Sequence, residues 1–444
     1  MTWRHCLGCL TALALLLALT PAHSRADDSL LADERWSESA FGLSLRPPAG
    51  STLYEQTADR AIATFLVDDD MSIRVHFRQA EERVTLDLVR QRAAEQFTFY
   101  YPAAVVVEDD VEEIRIADRR GARWYFLVPG DEGQWVAGQA FVMIDPFTVA
   151  MFQYESDAHS YERSRRIFEA VLDSVELMPP DELDRQRTAL IEAGDAWLAE
   201  VDFAAVEGVL PERQFMRVIE GDTDVGYQRI VTEHVENLGE AGVEVRIQAR
   251  DLVGDGHAYD SQSELFLGEG EQTELWSSVT TLRPKEQPQQ PAGLQSREQL
   301  QPQHGTEQTW TDTGLRSHNR ISVSQEGPTQ IESRNWEVPP KAYASQVVAQ
   351  ATPALMAKQA AAGRPPAAMA FYAYHPSAGR LMLRAVRIEP SDDGGWRVYD
   401  RPAPDRAEQV FHFDAEGQLI EHHTGDGRVS RPATEDEIRA VWGR

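Results

Sequence analysis

The chain has 444 residues, a formal net charge of −29 and only two cysteines. A strongly acidic surface repels phosphate backbones and anionic lipid headgroups, so nucleic acid is an unfavourable partner. Both cysteines, Cys6 and Cys9, lie at the extreme N-terminus. If that segment is removed, disulfide scaffolds, thiolate zinc sites and cysteine nucleophiles are all excluded.

The N-terminal segment has the pattern of an export signal. Arg4 precedes an apolar run over residues 10–20, and Ser24-Arg25-Ala26 supplies small residues at the usual cleavage spacing. The run is too short to cross a hydrocarbon core, and no later stretch approaches the ~20 apolar residues that a spanning helix needs. We therefore expect residues 1–26 to be a cleaved signal peptide, and a secreted or periplasmic mature chain with no integral membrane segment.

Residues 37–178 are predicted to form an α+β domain with an antiparallel sheet covered by helices. Residues 72–78 illustrate the strand signal, since apolar and polar side chains alternate along them. Helical spacing appears at 85–97 and again at 161–177. The predicted strands are 41–45, 62–67, 72–78, 111–117, 122–128, 134–144 and 147–154.

Two motifs in this domain resemble the PsbP-like α/β fold of small exported and photosystem-associated bacterial domains. The opening is Phe41-Gly42-Leu43-Ser44-Leu45-Arg46-Pro47-Pro48-Ala49-Gly50, and the closing helix is Ile167-Phe168-Glu169-Ala170-Val171-Leu172-Asp173-Ser174-Val175. The resemblance spans residues 41–177. It implies a binding or assembly role and supplies no catalytic residue.

Residues 179–205 are predicted to be a helical connector, and residues 206–442 a larger, mostly antiparallel β domain. Within the latter, the Gln- and Pro-rich segment 284–307 has almost no large apolar residue and is expected to be a disordered loop. Residues 342–361 are expected to form a helix despite Pro353. A capping box, Thr434 to Glu437, begins a short closing helix.

The topology of residues 206–442 resembles the open half-barrels of envelope carrier proteins, such as the periplasmic lipoprotein carriers. The form "strand, Asp-x-x-Gly, strand" occurs in Phe411-His412-Phe413-Asp414-Ala415-Glu416-Gly417-Gln418-Leu419-Ile420. The resemblance implies an apolar concave face, partly filled by a helix, that can hold an acyl chain. Phe371, Tyr372 and Tyr374 are the candidate ligand-binding residues, because one face of their strand is predicted to line a cavity.

Two groups of residues come closest to a metal site, and neither is favoured. Asp222, Asp224 and Glu233 match three positions of a calcium loop, but Gly226 comes one residue early, so a hairpin turn is the better interpretation. His412 and His422 lie on one predicted hairpin and could bind zinc or copper. His423 is adjacent to His422, and adjacent rings on a strand point to opposite faces.

No motif in the sequence specifies a catalytic residue or a cofactor. We therefore expect an exported, non-catalytic envelope or periplasmic binding protein whose second domain holds an apolar or lipid-like ligand. The alternative is a structural or assembly factor of the cell envelope that engages protein partners. A third hypothesis is a hydrolase whose site is not visible in the sequence.

Overall fold

The computed structural model describes residues 30–55, 61–68, 71–80, 82–107, 112–130, 133–253, 257–284 and 307–443. The signal peptide predicted at 1–26 and nearly all of the loop predicted at 284–307 lie outside these residues. The chain divides into two units. The first extends to Met178 and the second begins at Pro179, except that the short segment 55–62 groups with the second unit. Each is strand-rich and antiparallel, which confirms the predicted α+β class.

The first unit contains two antiparallel sheets. The smaller sheet has the order β1-β2-β11, and the larger has the order β3-β4-β5-β10-β9-β8-β6, with β7 also pairing with β8. The strands are β1 Trp36–Glu38, β2 Leu43–Leu45, β3 Thr52–Glu55, β4 Ala63–Asp68, β5 Met71–Gln79, β6 Val105–Val106, β7 Glu112–Ile116, β8 Arg119–Gly130, β9 Gly133–Asp145, β10 Thr148–Asp157 and β11 Glu176–Leu177.

Two helices of the first unit differ in how much of their surface they bury. Helix α2, Tyr161–Asp173, is amphipathic and buries a stripe that includes Phe168, whose ring packs 4.8 Å from that of Tyr154. Helix α1, Leu86–Tyr100, buries only Phe97. It also continues three residues beyond the predicted end at residue 97, and the extension carries two further aromatic side chains.

The second unit is built on one fourteen-stranded antiparallel sheet. Its strands are β12 Arg213–Glu220, β13 Thr223–Asn237, β14 Glu240–Leu252, β15 Ala258–Gly268, β16 Thr273–Arg283, β17 Gln308–Ser317, β18 Arg320–Glu326, β19 Ile331–Glu337, β20 Met369–His375, β21 Arg380–Pro390, β22 Trp396–Arg401, β23 Gln409–Phe413, β24 Leu419–His423 and β25 Val429–Ala433. Its helices are α3 Pro180–Leu198, α4 Phe203–Glu207, α5 Gln346–Ala361 and α6 Glu435–Trp442.

The order of the large sheet runs from β19 back to β12, then from β25 back to β20. Strands β19 and β20 are therefore consecutive in the chain but lie at opposite edges, and α5 belongs to the segment that joins them. Apolar residues from both halves of the sheet pack with α5 in one core. The rings of Trp276 on β16 and Tyr374 on β20 lie 4.9 Å apart. The sheet must therefore curl around the helix.

The segment predicted as a connector, residues 179–205, is an integral part of the second unit. Helix α3 packs on β20 so closely that a Cβ at Gly194 would lie 2.1 Å from the carbonyl oxygen of Ala370. The indole Nε1 of Trp197 donates to Oε1 of Gln359 on α5 at 2.8 Å. Helix α3 therefore packs directly against the second unit. Within the part of the chain that the structure describes, no helix has the length and apolar character to cross a membrane.

Candidate functional site

The interior of the curved sheet is filled by α5. Ten of its residues are buried, and its N-cap Ser345 accepts a hydrogen bond from the backbone N–H of Val348. Beside the N-terminus of this helix lies a pocket of about 100 Å³. The side chains lining this pocket include Leu267, Arg316 and Tyr343. Pockets that hold drug-sized ligands usually measure roughly 300 Å³ or more, so this pocket is too small for an acyl chain.

The candidate ligand-binding aromatic residues do not line that pocket. Phe371 is fully buried and Tyr374 is 3% exposed, and both belong to the core around α5. Tyr372 is half-buried, and its backbone carbonyl accepts from the N–H of Ala344 at 2.9 Å. Helices α3 and α5 both pack on strand β20. Phe371 and Tyr374 are therefore packed in the core, and ligand binding by these two residues and Tyr372 stays a prediction.

The most perturbed carboxyl group of the second unit lies beside the N-terminus of α5. Glu274 is fully buried and accepts hydrogen bonds from the hydroxyl of Tyr343, at 2.8 Å, and from the backbone N–H of Gln346. Burial raises the pKa of Glu274 to about 7, and the two hydrogen bonds only partly oppose that rise. The contacts are those of a group that anchors the start of α5.

The residues of the calcium-loop template are not brought together. Strand β13 runs through the template, and Asp224 makes a two-pronged ion pair with Arg217, at 2.8 and 2.7 Å. Glu233 lies nine residues further along the same strand, where it pairs with Arg246. Asp222 lies in the turn between β12 and β13. This is the hairpin turn that the early position of Gly226 favoured.

The candidate histidines on β23 and β24 separate onto two faces. His422 is stacked on Phe411, with ring centroids 4.0 Å apart, and burial lowers its pKa to about 4. His412 instead lies with Glu421 and His423, and the ligand atoms of these three residues are within 4.8 Å of one another. The structure thus brings together His412, Glu421 and His423. The candidate His422 is not part of this group. The i, i+2 spacing of Glu421 and His423 was the sequence signal for it.

In the first unit, the last residues of α1 and the residues just after it carry several exposed apolar side chains. We call this stretch the aromatic segment. It consists of Phe99, Tyr100, Tyr101, Val105 and Val106, which are 81%, 65%, 39%, 63% and 41% exposed. Two contacts fix its backbone: Phe97 stacks on Phe126 at 3.9 Å, and β6 pairs with β8.

The aromatic segment was missed at the level of sequence because the predicted helix stopped at Phe97. The signal was present, since four of the five residues from 97 to 101 are aromatic and three valines follow at 105–107. One helix of a small sheet domain can bury only one stripe of such residues. The other apolar residues must either pack against a second layer or face solvent, and in the structure they face solvent.

Comparison with known proteins gives structural neighbours only. No protein-family model matches the chain, and no curated protein matches its sequence. A solved cyanobacterial PsbP (CyanoP) of Synechocystis is similar at 14% identity, covering 33% of this chain and 92% of its own, with a TM-score of 0.27. The PsbP-like resemblance predicted from the two motifs is thus matched by a PsbP neighbour.

Two further neighbours cover similar or larger parts of the chain. LpqN of Mycobacterium tuberculosis, described as involved in cell envelope biogenesis, is 10% identical, with 31% of this chain and 83% of its own covered, at a TM-score of 0.27. A β-barrel-like protein of a domain of unknown function from Brucella abortus is 11% identical, covering 51% and 97%, at 0.33. At these TM-scores the neighbours carry no inference about function.

Proposed function

We propose that this is an exported, non-catalytic protein of the cell envelope that engages a protein partner through the aromatic segment of its first unit. Of the hypotheses that the sequence left open, this is the assembly-factor alternative. The observation that carries it is the exposure of Phe99, Tyr100 and Val105 on a segment whose backbone is held in place. Five exposed apolar side chains within eight residues of sequence are a candidate interaction site.

The composition of the aromatic segment favours a protein partner over a lipid surface. Aromatic side chains are enriched where proteins bind one another, because they bury a large area at little cost in conformational entropy. The chain carries a net charge of −29, and Glu108-Asp109-Asp110 follows the segment in sequence. An anionic membrane would repel such a surface. The partner surface is therefore expected to be apolar with a basic rim.

The interior of the second unit supports the same choice. The role first expected for this unit was to hold an apolar or lipid-like ligand inside the half-barrel. Helix α5 occupies that space, and Phe371 and Tyr374 pack into the core instead of lining a cavity. An acyl chain would have to displace the helix, together with the buried hydrogen bonds of Glu274 at its start.

The experiment is a capture from the solubilised envelope of the source organism, followed by binding with the purified partner. The bait is the tagged full chain, either unchanged or with Phe99→Ser and Tyr100→Ser. The matched control is Ile331→Ser, at a residue of the second unit that is 69% exposed. We expect one protein to bind the wild type and the control in stoichiometric amount, and the double variant to bind it at least ten-fold more weakly.

Three outcomes would overturn the proposal. The first is equal binding of the partner by the double variant and the wild type. The second is sedimentation of the wild type, but not of the variant, with vesicles of anionic phospholipid, which would make the segment a membrane contact. The third is a co-purifying lipid, seen by native mass spectrometry and identified after extraction, which would restore the carrier hypothesis.

A further inference from the structure

A second candidate site lies on the face of the large sheet opposite to α5. Strand β23 pairs with β24 so that His412 stands directly across from Glu421. His423 follows Glu421 by two residues and therefore points to the same face. The three side chains form a triangle, with two members on one strand and the third on its neighbour. We propose that His412, Glu421 and His423 bind one divalent transition-metal ion of the zinc class.

The distances within the triangle are close to those that coordination needs. Nε2 of His423 lies 2.7 Å from Oε1 of Glu421, and all three ligand atoms lie within 4.8 Å of one another. Ligand atoms at about 2.0–2.1 Å from a tetrahedral zinc ion are roughly 3.3 Å apart. Displacements of the ligand atoms by less than about 2 Å would therefore bring the three to the spacing that one zinc ion needs.

The donor set selects the class of ion. Two imidazoles and one carboxylate suit zinc and its neighbours in the first transition row, whereas magnesium and calcium prefer oxygen ligands alone. Three protein ligands leave one tetrahedral position for water or for a group of another molecule. The exposed fractions of His423 and Glu421, 42% and 21%, leave the site open to solvent on that side.

The surroundings hold the carboxylate in place. Nε of Arg431 donates to Oε2 of Glu421 at 3.1 Å, so that Oε1 is the oxygen directed at the histidines. Such an outer partner fixes the orientation of a metal ligand. His412 has its ring centroid 5.0 Å from that of His423. A simple surface ion pair between His423 and Glu421 would need no second imidazole at that position.

This site is independent of the partner-binding proposal, because it lies in the other unit. The test uses the exported full chain, purified without a polyhistidine tag, stripped with a chelator and titrated with zinc chloride by calorimetry. We expect one zinc ion per chain. His412→Ala and His423→Ala should each weaken binding by more than about 100-fold, beyond the 10–100-fold typical for losing an outer partner.

Two control variants distinguish this site from other histidines. His234→Ala removes an imidazole whose side chain is 64% exposed and which pairs with Glu207 elsewhere in the same unit. His422→Phe keeps the ring stacked on Phe411 while removing its nitrogens. Both variants should bind zinc as the wild type does. The partly exposed His412 and His423 variants should also unfold at the wild-type temperature in the absence of metal.

Absence of stoichiometric zinc binding by the wild type would overturn the proposal. So would loss of binding in His422→Phe together with its retention in His423→Ala. Displacement of the zinc by a millimolar excess of magnesium would also refute it, because that result would indicate diffuse attraction to an acidic surface and not coordination by imidazole.

Discussion

Each unit contains an informative exception to the ordinary distribution of polar and apolar groups, and the two exceptions are of different kinds. The second unit buries carboxyl groups: Glu274 and Asp400 are 0% and 1% exposed, and both have hydrogen-bonding partners. The first unit exposes aromatic ones, with Phe99 81% exposed at the end of α1. Buried polar groups and exposed apolar patches are the informative exceptions in a soluble protein.

The buried carboxyl groups contribute to the stability of the fold, whereas the exposed aromatic side chains are accessible to a partner. A buried charge is tolerated only when its partners are fixed, so removing a partner should destabilise the fold. An exposed aromatic residue contributes little to the fold, so its removal should leave stability intact and alter binding. Four measurements of the free energy of unfolding test this contrast.

The largest effect is expected at the ion pair between Arg384 and Asp400. Nε of Arg384 donates to Oδ1 of Asp400 at 2.7 Å, inside the second unit. Arg384→Met leaves that carboxylate buried without its counter-charge and should lower the free energy of unfolding by about 3–5 kcal/mol. The control is Arg246→Met, at an exposed pair with Glu233, and should cost less than about 1 kcal/mol. Equal losses in urea denaturation would contradict the contrast.

The next effect is a pH dependence that comes from Glu274. Its pKa is about 7 when folded, against 4.5 for an ordinary glutamate. Between these two pH values the folded state holds a proton that the unfolded state has lost. The free energy of unfolding should therefore fall as pH rises through this interval, by about 3 kcal/mol from this group.

Glu274→Gln should remove that contribution. Denaturation midpoints measured from pH 4 to pH 8 should decline less steeply in the variant than in the wild type, with the two curves converging in shape above pH 8. Parallel curves across the whole interval would show that the carboxyl group is not desolvated in the folded state.

A smaller loss is expected at Tyr374. Its hydroxyl donates to Oδ2 of Asp312, which also accepts from Gln325, while Trp276 donates to Oδ1. Tyr374→Phe removes one hydrogen bond to a buried carboxylate and should cost about 1.5–3 kcal/mol. Tyr54→Phe, at a tyrosine of the first unit that is 49% exposed, should change thermal stability by less than about 0.5 kcal/mol.

The smallest effect is expected in the aromatic segment itself. Phe99→Ala should alter the free energy of unfolding by no more than about 0.5 kcal/mol. Phe97→Ala, two residues earlier on the same helix, removes a ring that is 5% exposed and should cost about 3–5 kcal/mol. A large loss from Phe99→Ala would mean that the segment serves the fold and not a partner.

The local sequence pattern predicted individual strands and helices well. It did not predict which strands pair with each other in the large sheet. The turn between β12 and β13 was predicted from the position of Gly226, and the strand at 72–78 from the alternation of apolar and polar side chains. The pairing of β12 with β25 was not, because period-2 alternation says which face a residue occupies and nothing about which strand lies beside it. The sheet order, and hence the curl around α5, depends on that pairing.

Some features of the candidate sites had signals in the sequence and others had none. Strand β20 is almost continuously apolar, Met-Ala-Phe-Tyr-Ala-Tyr, which is typical of a strand buried on both faces and explains why Tyr374 is packed. Glu274 shares a strand face with Trp276, a signal of its burial. No local pattern predicted that Tyr343 would contact the carboxyl group of Glu274. That contact depends on the path of the chain between β19 and α5.

The pairing of β12 with β25 also has a consequence for the order in which the second unit folds. Phe215 lies opposite Ala433, 218 residues later (433 minus 215). Contacts this distant in sequence close slowly, because the loop entropy is lost before the pairing compensates for it. We expect the β12–β25 seam to form last. Until it does, the edges of both strands are open, and unpaired strand edges are where separate chains can pair with one another.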